Sequence, residues 1–203
     1  LYGQSAGDFR TNGNVTFSAP GGWEIYDGSS WVAAGAAPTS ANGVINIQNG
    51  HTATVTSPVT LDQVTLNSTG ILAISAGQTL TIADGAGTDL DVSGTIDNSG
   101  IITPAGTIVF NASSIYNHSQ DGGTIPNATW NVLSKCNITG IISNTGPAVG
   151  LEGKTFGNFT WACPGQTSNF YMASNFTVAG NFTVSETGTP GHTTHSLRMS
   201  TSG

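Results

Sequence analysis

The residues of this sequence that could do chemistry begin with three neighbouring aspartates, Asp84, Asp89 and Asp91. A β-helix polysaccharide lyase uses a carboxylate cluster of this kind to hold Ca²⁺, with a nearby Arg or Lys as the base. No Arg or Lys is close to these aspartates in the sequence. Asp89 and Asp91 fall on one face of a predicted strand, where two carboxylates could hold a hard cation. Aspartates are more often solvated corner residues, so we predict no metal site.

The glutamates and serines do not suggest a hydrolase. Glycoside hydrolysis uses two opposed carboxylates, and each of Glu24, Glu152 and Glu186 lies near a turn without an obvious aspartate partner. The Gly-x-Ser-x-Gly motif, which exposes a nucleophilic serine on a strand–turn–helix, is absent from the sequence.

The histidines form no complete ligand set. His192 and His195 have a loose metal-ligand spacing, but no third ligand is near them. His51 and His118 are distant from this pair and from each other. The sequence therefore predicts no catalytic, cofactor or metal residues, and we expect that the chain is not an enzyme.

The two cysteines, Cys136 and Cys163, permit one disulfide that closes a loop of 27 residues. This spacing could place them on neighbouring coils of a repeating structure, within bridging distance if their side chains face each other. The alternative is a pair of buried thiols that act as small hydrophobic residues. The sequence leaves both possibilities open.

The candidate residues would be positioned by short strands. Each strand appears in the sequence as two apolar residues with one residue between them, the pattern of a strand with one buried face. These pairs recur at nearly fixed intervals, and glycines mark the corners between them. A strand motif with this recurrence is typical of a solenoid. The step is about 18 residues for Leu72/Ile74, Leu90/Val92 and Ile108/Phe110, and about 19 residues for Ile45/Ile47 and Val64/Leu66.

The sequence therefore predicts an all-β, right-handed parallel β-helix (β-solenoid) with about 18–19 residues per coil. We expect the six apolar residues that share the shorter step to be buried and stacked in registered columns. Three segments follow one another: an irregular N-terminal cap over residues 1–42, solenoid coils over 43–123, and an aromatic-rich continuation over 124–203. In this last segment Phe and Trp replace Leu and Ile.

Composition limits the partners that we expect. Only 7% of the residues are charged, the net charge is −7 and the pI is about 4.6. Nucleic acids and anionic membranes attract basic patches, and the four cationic residues are scattered. No apolar run is long enough to span a bilayer. A surface of Thr, Ser, Asn and Gly in place of charge suits an extracellular β protein, so we predict neither nucleic-acid binding nor membrane insertion.

Several segments resemble the repeats of large secreted surface proteins of Bacteroidetes, which are adhesin-like chains exported by the type IX system. The similarity lies in residues 43–55, 61–66 and 116–118 and in the tryptophan-bearing segments 23–32 and 156–161. The Gly-rich stretch is also similar to the G8 module, a β-rich extracellular domain. These resemblances imply an extracellular or cell-surface location and a structural role. The C-terminal sorting domain of that export route is not visible in the sequence.

Two surface patterns have more than one interpretation. Asn-x-Ser/Thr indicates either glycosylation sites or the alternation of Asn and Thr on exposed strands, which we favour. Thr52/Thr54 and Thr79/Thr81 suggest an ice-binding ladder, but their offset of 27 residues would put them on different faces. The Asn-x-Ser/Thr sites are Asn14, Asn67, Asn111, Asn117, Asn127, Asn137, Asn158, Asn175 and Asn181.

These observations favour a non-enzymatic, extracellular structural or adhesive segment of a bacterial cell-surface protein or fibre. The alternatives are a self-assembling extracellular filament subunit and a carbohydrate-active β-helix enzyme, either a lyase or a hydrolase. We expect as partners further copies or a continuation of the same polypeptide, and surface glycans. A strand-like Leu197-Arg198-Met199 near the end, with no polar cap after it, favours association through that end.

Overall fold

The computed structural model describes residues 3–143, 150–172, 175–188 and 195–199. The regular structure of these residues is entirely β-strand, and successive strands stack in parallel as a β-solenoid. The predicted fold class is therefore confirmed. Within the described ranges no helix is long and apolar enough to cross a membrane.

The strands are short, and most of them alternate buried and half-buried residues. In chain order they are β1 (Phe9–Thr11), β2 (Val15–Thr16), β3 (Trp23–Tyr26), β4 (Trp31–Ala33), β5 (Ile45–Ile47), β6 (Thr52–Val55), β7 (Val59–Leu61), β8 (Val64–Leu66), β9 (Ile71–Ile74), β10 (Thr79–Ile82), β11 (Leu90–Val92), β12 (Thr95–Asn98), β13 (Ile101–Pro104), β14 (Ile108–Phe110), β15 (Ile115–His118), β16 (Thr129–Trp130), β17 (Lys135–Ile138), β18 (Thr155–Phe156), β19 (Asn158–Cys163), β20 (Phe170–Met172), β21 (Thr177–Val178), β22 (Phe182–Thr187) and β23 (Leu197–Met199).

Three faces surround the core. Face A is the eight-stranded sheet β16-β14-β11-β8-β5-β1-β3-β4, and face B is the eight-stranded parallel sheet β2-β6-β9-β12-β15-β17-β19-β22. Face C is the three-stranded sheet β13-β10-β7. Two further parallel pairs, β18 with β21 and β20 with β23, complete the described strands. Each coil thus buries one side of its strands only by stacking on its neighbours.

The predicted core residues are buried, but they belong to columns on two different faces instead of one shared face. Leu90 and Ile108 stack with Val64 on face A, whereas Leu72 stacks with Ile96 on face B. All of these side chains are at most 3% exposed. The placement of Leu72/Ile74 in the same column as Leu90/Val92 was therefore wrong.

The coil length is also less regular than the sequence predicted. The face A column consists of Ile45, Val64, Leu90 and Ile108 in chain order, and the step from Val64 to Leu90 is the longest of the three. Most of the extra residues lie in the corner between β10 and β11, and the others lie between β9 and β10. Stacking fixes the register of the strands but not the length of the corners. The step from Leu72 to Leu90 therefore links two different faces, although it equals the step from Leu90 to Ile108.

The first 42 residues supply strands to two faces and a hairpin to one. β1 and β2 pair in parallel with β5 and β6, so both faces begin within this segment. β3 then pairs antiparallel with β1, and β4 with β3, which extends face A beyond the parallel stack. Trp23 is 2% exposed, with its ring 5.1 Å from that of Phe17. The boundaries at residues 42 and 123 stay predictions.

Small residues form a column at the corner between face A and face B. Their backbone carbonyls accept hydrogen bonds from the next coil, as in Thr95 N to Gly70 O (3.0 Å) and Ile115 N to Gly94 O (3.0 Å). A Cβ on Gly94 would collide with two carbonyl oxygens of the coil below. Gly94 therefore has to be glycine, and every residue of this corner column is small: Gly70, Gly94, Ser114, Ser134 and Gly157.

From β14 onwards aromatic rings fill the interior. Phe110 stacks on Trp130 at 3.9 Å, and Phe159 stacks on Phe182 at 5.5 Å. A chain of buried polar groups runs beside them. Asn98 Nδ2 donates to Tyr116 Oη (2.9 Å), Tyr116 Oη lies 3.4 Å from His118 Nδ1, and His118 Nε2 lies 2.6 Å from the carbonyl oxygen of Gly122.

Candidate functional site

A groove of about 770 Å³ crosses the outer side of face A. Its floor is built by the middle residue of each apolar-x-apolar strand, because that residue points away from the core. Arg10 of β1 is paired with Asn46 of β5, Asn46 with Thr65 of β8, and Thr65 with Asp91 of β11. Neighbouring strands are about 4.8 Å apart, so these four side chains span about 14 Å in one line.

The hairpin formed by β3 and β4 closes one end of the groove. The guanidinium carbon of Arg10 lies 4.4 Å from the ring centre of Trp31, and Arg10 Nε donates to Glu24 Oε2 at 2.6 Å. The Trp31 ring also packs at 5.4 Å from Tyr26. Arg10 is thus held between an aromatic ring and a carboxylate, and its charge is balanced by Glu24.

The other end is formed by the corner after β7 and by the loop before β11. Gln63 occupies the left-handed backbone region, with a φ of 52°, and its Nε2 donates to Ala86 O at 3.3 Å. Residues with a Cβ rarely adopt this backbone conformation, because it costs roughly 1–2 kcal/mol. The corner is held in place by the stacked coil, since Gln63 O accepts a hydrogen bond from Ile45 N at 3.1 Å.

The charges that line the groove all have partners. Besides the Arg10–Glu24 pair, Asp8 accepts hydrogen bonds from the backbone N–H groups of Ser5 and Val44, and Asp91 Oδ1 accepts one from Asn111 Nδ2. The groove therefore presents mainly neutral amide and hydroxyl groups, together with the edge of one aromatic cluster.

The aspartates singled out in the sequence are separated in space. Asp84 is exposed, Asp89 is fully buried at the corner and Asp91 lies in the groove. Asp89 accepts hydrogen bonds from Gly85 N (2.9 Å) and Thr107 N (2.5 Å). Among the described residues, no group of three or more His, Cys, Asp or Glu side chains is arranged to hold a metal ion.

Asp89 faces a residue that the sequence did not point to, Asp62. Burial and the neighbouring Asp89 raise the pKa of Asp62. Burial alone would also raise the pKa of Asp89, but the hydrogen bonds from Thr107 and Gly85 outweigh it and lower that pKa. The stronger acid is thus Asp89, which has the donors, whereas Asp62 Oδ1 is buried without a hydrogen-bond partner.

The glutamates are not brought together as a catalytic pair in the described residues. Glu24 is held by Arg10, and Glu152 Oε2 accepts a hydrogen bond from Asn175 N at 3.3 Å. Glu186 lies in β22, where it is paired with Ala162 of β19.

The histidines are likewise dispersed. His51 Nδ1 lies 2.8 Å from Thr11 Oγ1 in the first coils, whereas His118 is fully buried in the aromatic half. Burial lowers the pKa of His118. His195 lies next to β23, and His192 lies outside the described residues.

The possible disulfide is not formed in the structure. Cys136 and Cys163 are free thiols, and both are fully buried. Cys163 Sγ lies 3.4 Å from Ile138 O, the geometry of a weak thiol hydrogen bond. Burial raises the pKa of both thiols, that of Cys163 to about 11. The structure therefore shows the alternative that the spacing had left open, two buried thiols that pack as small side chains.

Thr52/Thr54 and Thr79/Thr81 lie on face B and face C respectively, so they form no common ladder. The outer side of face B instead carries a short ladder of amides and a carboxylate. Asn137 Nδ2 donates to Asn117 Oδ1 (2.9 Å), and Asn117 Nδ2 donates to Asp97 Oδ1 (2.6 Å).

Apart from Asp91, the groove residues were missed from the sequence, although a signal for them exists. Arg10, Asn46, Thr65 and Asp91 each stand between the two apolar residues of a strand. Listing these middle residues would have placed them on one outer surface once the strands were aligned. No protein-family model, curated protein or solved structure matches the chain.

Proposed function

We propose that this chain is a non-enzymatic, extracellular structural and adhesive segment of a bacterial cell-surface protein or fibre. The observation that supports the proposal most is the contrast between its inside and its outside. The core is a continuous stack of apolar columns, whereas the outer strand positions carry hydrogen-bonding side chains with little charge.

This construction suits a mechanical role. Each coil is joined to the next by backbone hydrogen bonds on faces A and B, which keeps the stack stiff. Outward Thr and Asn side chains recur at the strand spacing, so weak contacts to a glycan-coated surface can form several at a time. Multivalent contacts of this kind raise the overall affinity well above that of any single contact.

A filament subunit is a second candidate, and β22 favours it. Phe182 and Val184 are 40% and 46% exposed, although they continue the face B columns that bury Phe159 and Trp161 in the preceding coil. A coil stacked on β22 by a second copy would cover them. If so, sedimentation should show concentration-dependent association that Phe182→Ser with Val184→Ser abolishes.

Two measurements test the adhesive proposal. Beads coated with the protein should be retained under flow on a polysaccharide-coated surface, whereas albumin-coated beads should not. Incubation with acidic and neutral polysaccharides should release no new chain ends. Turnover that is lost in Asp89→Asn or Asp91→Asn would contradict the proposal and support a lyase. Failure of the beads to adhere to any glycan would contradict the adhesive role.

A further inference from the structure

The groove on face A has the dimensions and chemistry of a binding site, and we propose that it binds an extended, uncharged oligosaccharide. The proposal deepens the adhesive function above and rests on it for its biological meaning. It assigns that function a specific location, in addition to the weak contacts that the outer ladders can make.

The first argument is spacing. Arg10, Asn46, Thr65 and Asp91 lie in line at the strand spacing of about 4.8 Å. The rise per sugar unit in an extended, β-linked polysaccharide is close to this value. A chain laid across the strands would therefore bring successive sugar units over successive side chains, as a folded peptide or a compact ligand would not.

The second argument is the supply of hydrogen-bonding groups. Asn67 Nδ2 donates to Asn46 Oδ1 at 2.8 Å, which leaves the side-chain nitrogen Nδ2 of Asn46 and the side-chain oxygen Oδ1 of Asn67 without a protein partner in the described part of the chain. The side-chain amide of Gln48 has no protein partner there either. Paired donors and acceptors of this kind match sugar hydroxyls, which both donate and accept.

The third argument is charge. The guanidinium of Arg10 is neutralised by Glu24, and the Asp91 carboxylate stands at the opposite end of the line without a cation beside it. The chain as a whole carries a net charge of −7. This surface would repel an acidic glycan, whereas the binding of a neutral glycan would not be weakened by electrostatic repulsion.

The fourth argument is rigidity. Trp31 is fixed by Arg10 on its face and by Tyr26 at 5.4 Å, and it offers an apolar edge to the C–H groups of a sugar ring. Gln63 is held in an unfavourable backbone conformation at the other end. Strained backbone tends to occur at binding sites, where the surrounding structure holds it. Binding groups that are already ordered lose little entropy when a ligand binds.

The test uses isothermal titration calorimetry on residues 1–203 with cellohexaose, xylohexaose and chitohexaose as neutral probes and hexagalacturonate as an acidic probe. We expect at least one neutral probe to bind and hexagalacturonate to bind more weakly. Trp31→Ala should lower the affinity at least about tenfold, a loss typical of an aromatic contact. Thr65→Arg, which fills the floor from an outward position, should abolish binding without unfolding the protein.

Tyr171→Ala is the matched control, because Tyr171 is another exposed ring with an arginine over it, Arg198 at 5.4 Å. It should leave the affinity unchanged. Circular dichroism should show native strand content for all three variants. Failure of all three neutral probes to bind, tighter binding of hexagalacturonate, or binding that Thr65→Arg does not change would overturn the assignment.

The bead assay separates this proposal from the adhesive function. If no neutral probe binds and Thr65→Arg beads adhere as well as wild-type beads do, the outer ladders mediate adhesion and the groove assignment is wrong. If a neutral probe binds in the groove but no bead adheres, the groove assignment stands and the adhesive function is wrong.

Discussion

The interior of the stack is filled by different side chains in its two halves. From β5 to β13 most buried side chains are Ile, Val and Leu, which need no hydrogen-bond partner, although Asp89 before β11 and Asn98 at the end of β12 are also buried. From β14 to β22 it contains Phe, Tyr and Trp, and buried polar groups accompany them. The aromatic half therefore has to provide partners for the polar atoms of its Tyr and Trp side chains, a requirement that Ile, Val and Leu do not have.

Two buried hydrogen bonds illustrate this requirement, and one buried donor is an exception to it. Tyr116 Oη accepts a hydrogen bond from Asn98, and Trp161 Nε1 donates to Gln166 Oε1 at 3.0 Å. Trp130 Nε1 is the exception, since it is buried without a hydrogen-bond partner. An aromatic core therefore gains buried area per side chain but depends on specific polar neighbours. Changes of single residues in the two halves should show this difference.

The largest effect is expected for Leu90→Asp in the aliphatic half. Leu90 is fully buried, and an unpaired carboxylate there has no donor to replace water, so we expect a loss of about 5 kcal/mol or more. Urea denaturation followed by circular dichroism measures it. Ile101→Asp is the control, because Ile101 is 53% exposed on β13, and it should cost less than about 1 kcal/mol. Equal losses in both variants would contradict the burial of the column.

Gly94→Ala should be the next most damaging change, with a loss of about 3 kcal/mol. The added Cβ would collide with the carbonyl oxygens of Asn67 and Gly70, and these belong to backbone that cannot move aside. Gly35→Ala, where a Cβ meets nothing within 4 Å, should change the free energy of unfolding by only about 0.5 kcal/mol or less, as is usual for a surface substitution. A small loss at Gly94 would mean that the aliphatic corner is looser than its contacts indicate.

Tyr116→Phe tests the polar requirement of the aromatic half. The change leaves Asn98 Nδ2 buried without its acceptor, so we expect a loss of about 1–3 kcal/mol at unchanged packing. Tyr26→Phe is the control, because the Tyr26 hydroxyl makes no hydrogen bond with the described residues and lies at the surface hairpin. Equal stabilities of the two variants would show that the buried hydroxyl is dispensable.

His118 should make stability depend on pH. Burial lowers its pKa in the folded protein below the ordinary value of about 6.5, so the unfolded chain binds the proton more readily. Stability should therefore fall as the pH decreases below about 6.5, with a slope of at most about 1.4 kcal/mol per pH unit for this one proton. Melting temperatures between pH 5 and 8 measure it. His118→Asn should flatten the profile, and an unchanged slope would contradict the assignment.

The smallest effect is a gain. The raised pKa of Asp62 in the folded state means that its carboxyl favours folding at low pH, and this contribution is lost as the pH rises. Asp62→Asn removes the charge next to Asp89 and adds a donor, so we expect a gain of about 0.5–1 kcal/mol at pH 7. The advantage should disappear as the pH is lowered and the Asp62 carboxyl becomes protonated. Asp84→Asn, at an exposed neighbour, should gain less. A loss in Asp62→Asn at pH 7 would contradict the pairing.

The strands of this fold were predictable because the apolar-x-apolar pattern reports a local property, the alternation of sides along a strand. The columns were not, because they depend on corner lengths, and the corner before Leu90 is longer than its neighbours. Leu72 and Leu90 share a spacing with Leu90 and Ile108 but belong to different faces.

The candidate site was less predictable still. Arg10 and Asp91 are far apart in the sequence and come together only through three successive strand pairings. The antiparallel hairpin of β3 and β4 then brings Trp31 to the same surface. The hairpin signal in the sequence does not indicate which face of the solenoid the hairpin extends. The disulfide was open for a similar reason, because the spacing of Cys136 and Cys163 gives no information on where their side chains point.

The unequal coils have a consequence for how the protein would respond to pulling along its long axis. Each folded coil adds only about 4.8 Å to the length of the rod. A coil that is peeled away from the face A column releases roughly 18 to 26 residues, or roughly 60–90 Å of extended chain. Successive coils would therefore act as extensible links of different lengths, which dissipate load stepwise while the remaining stack stays intact.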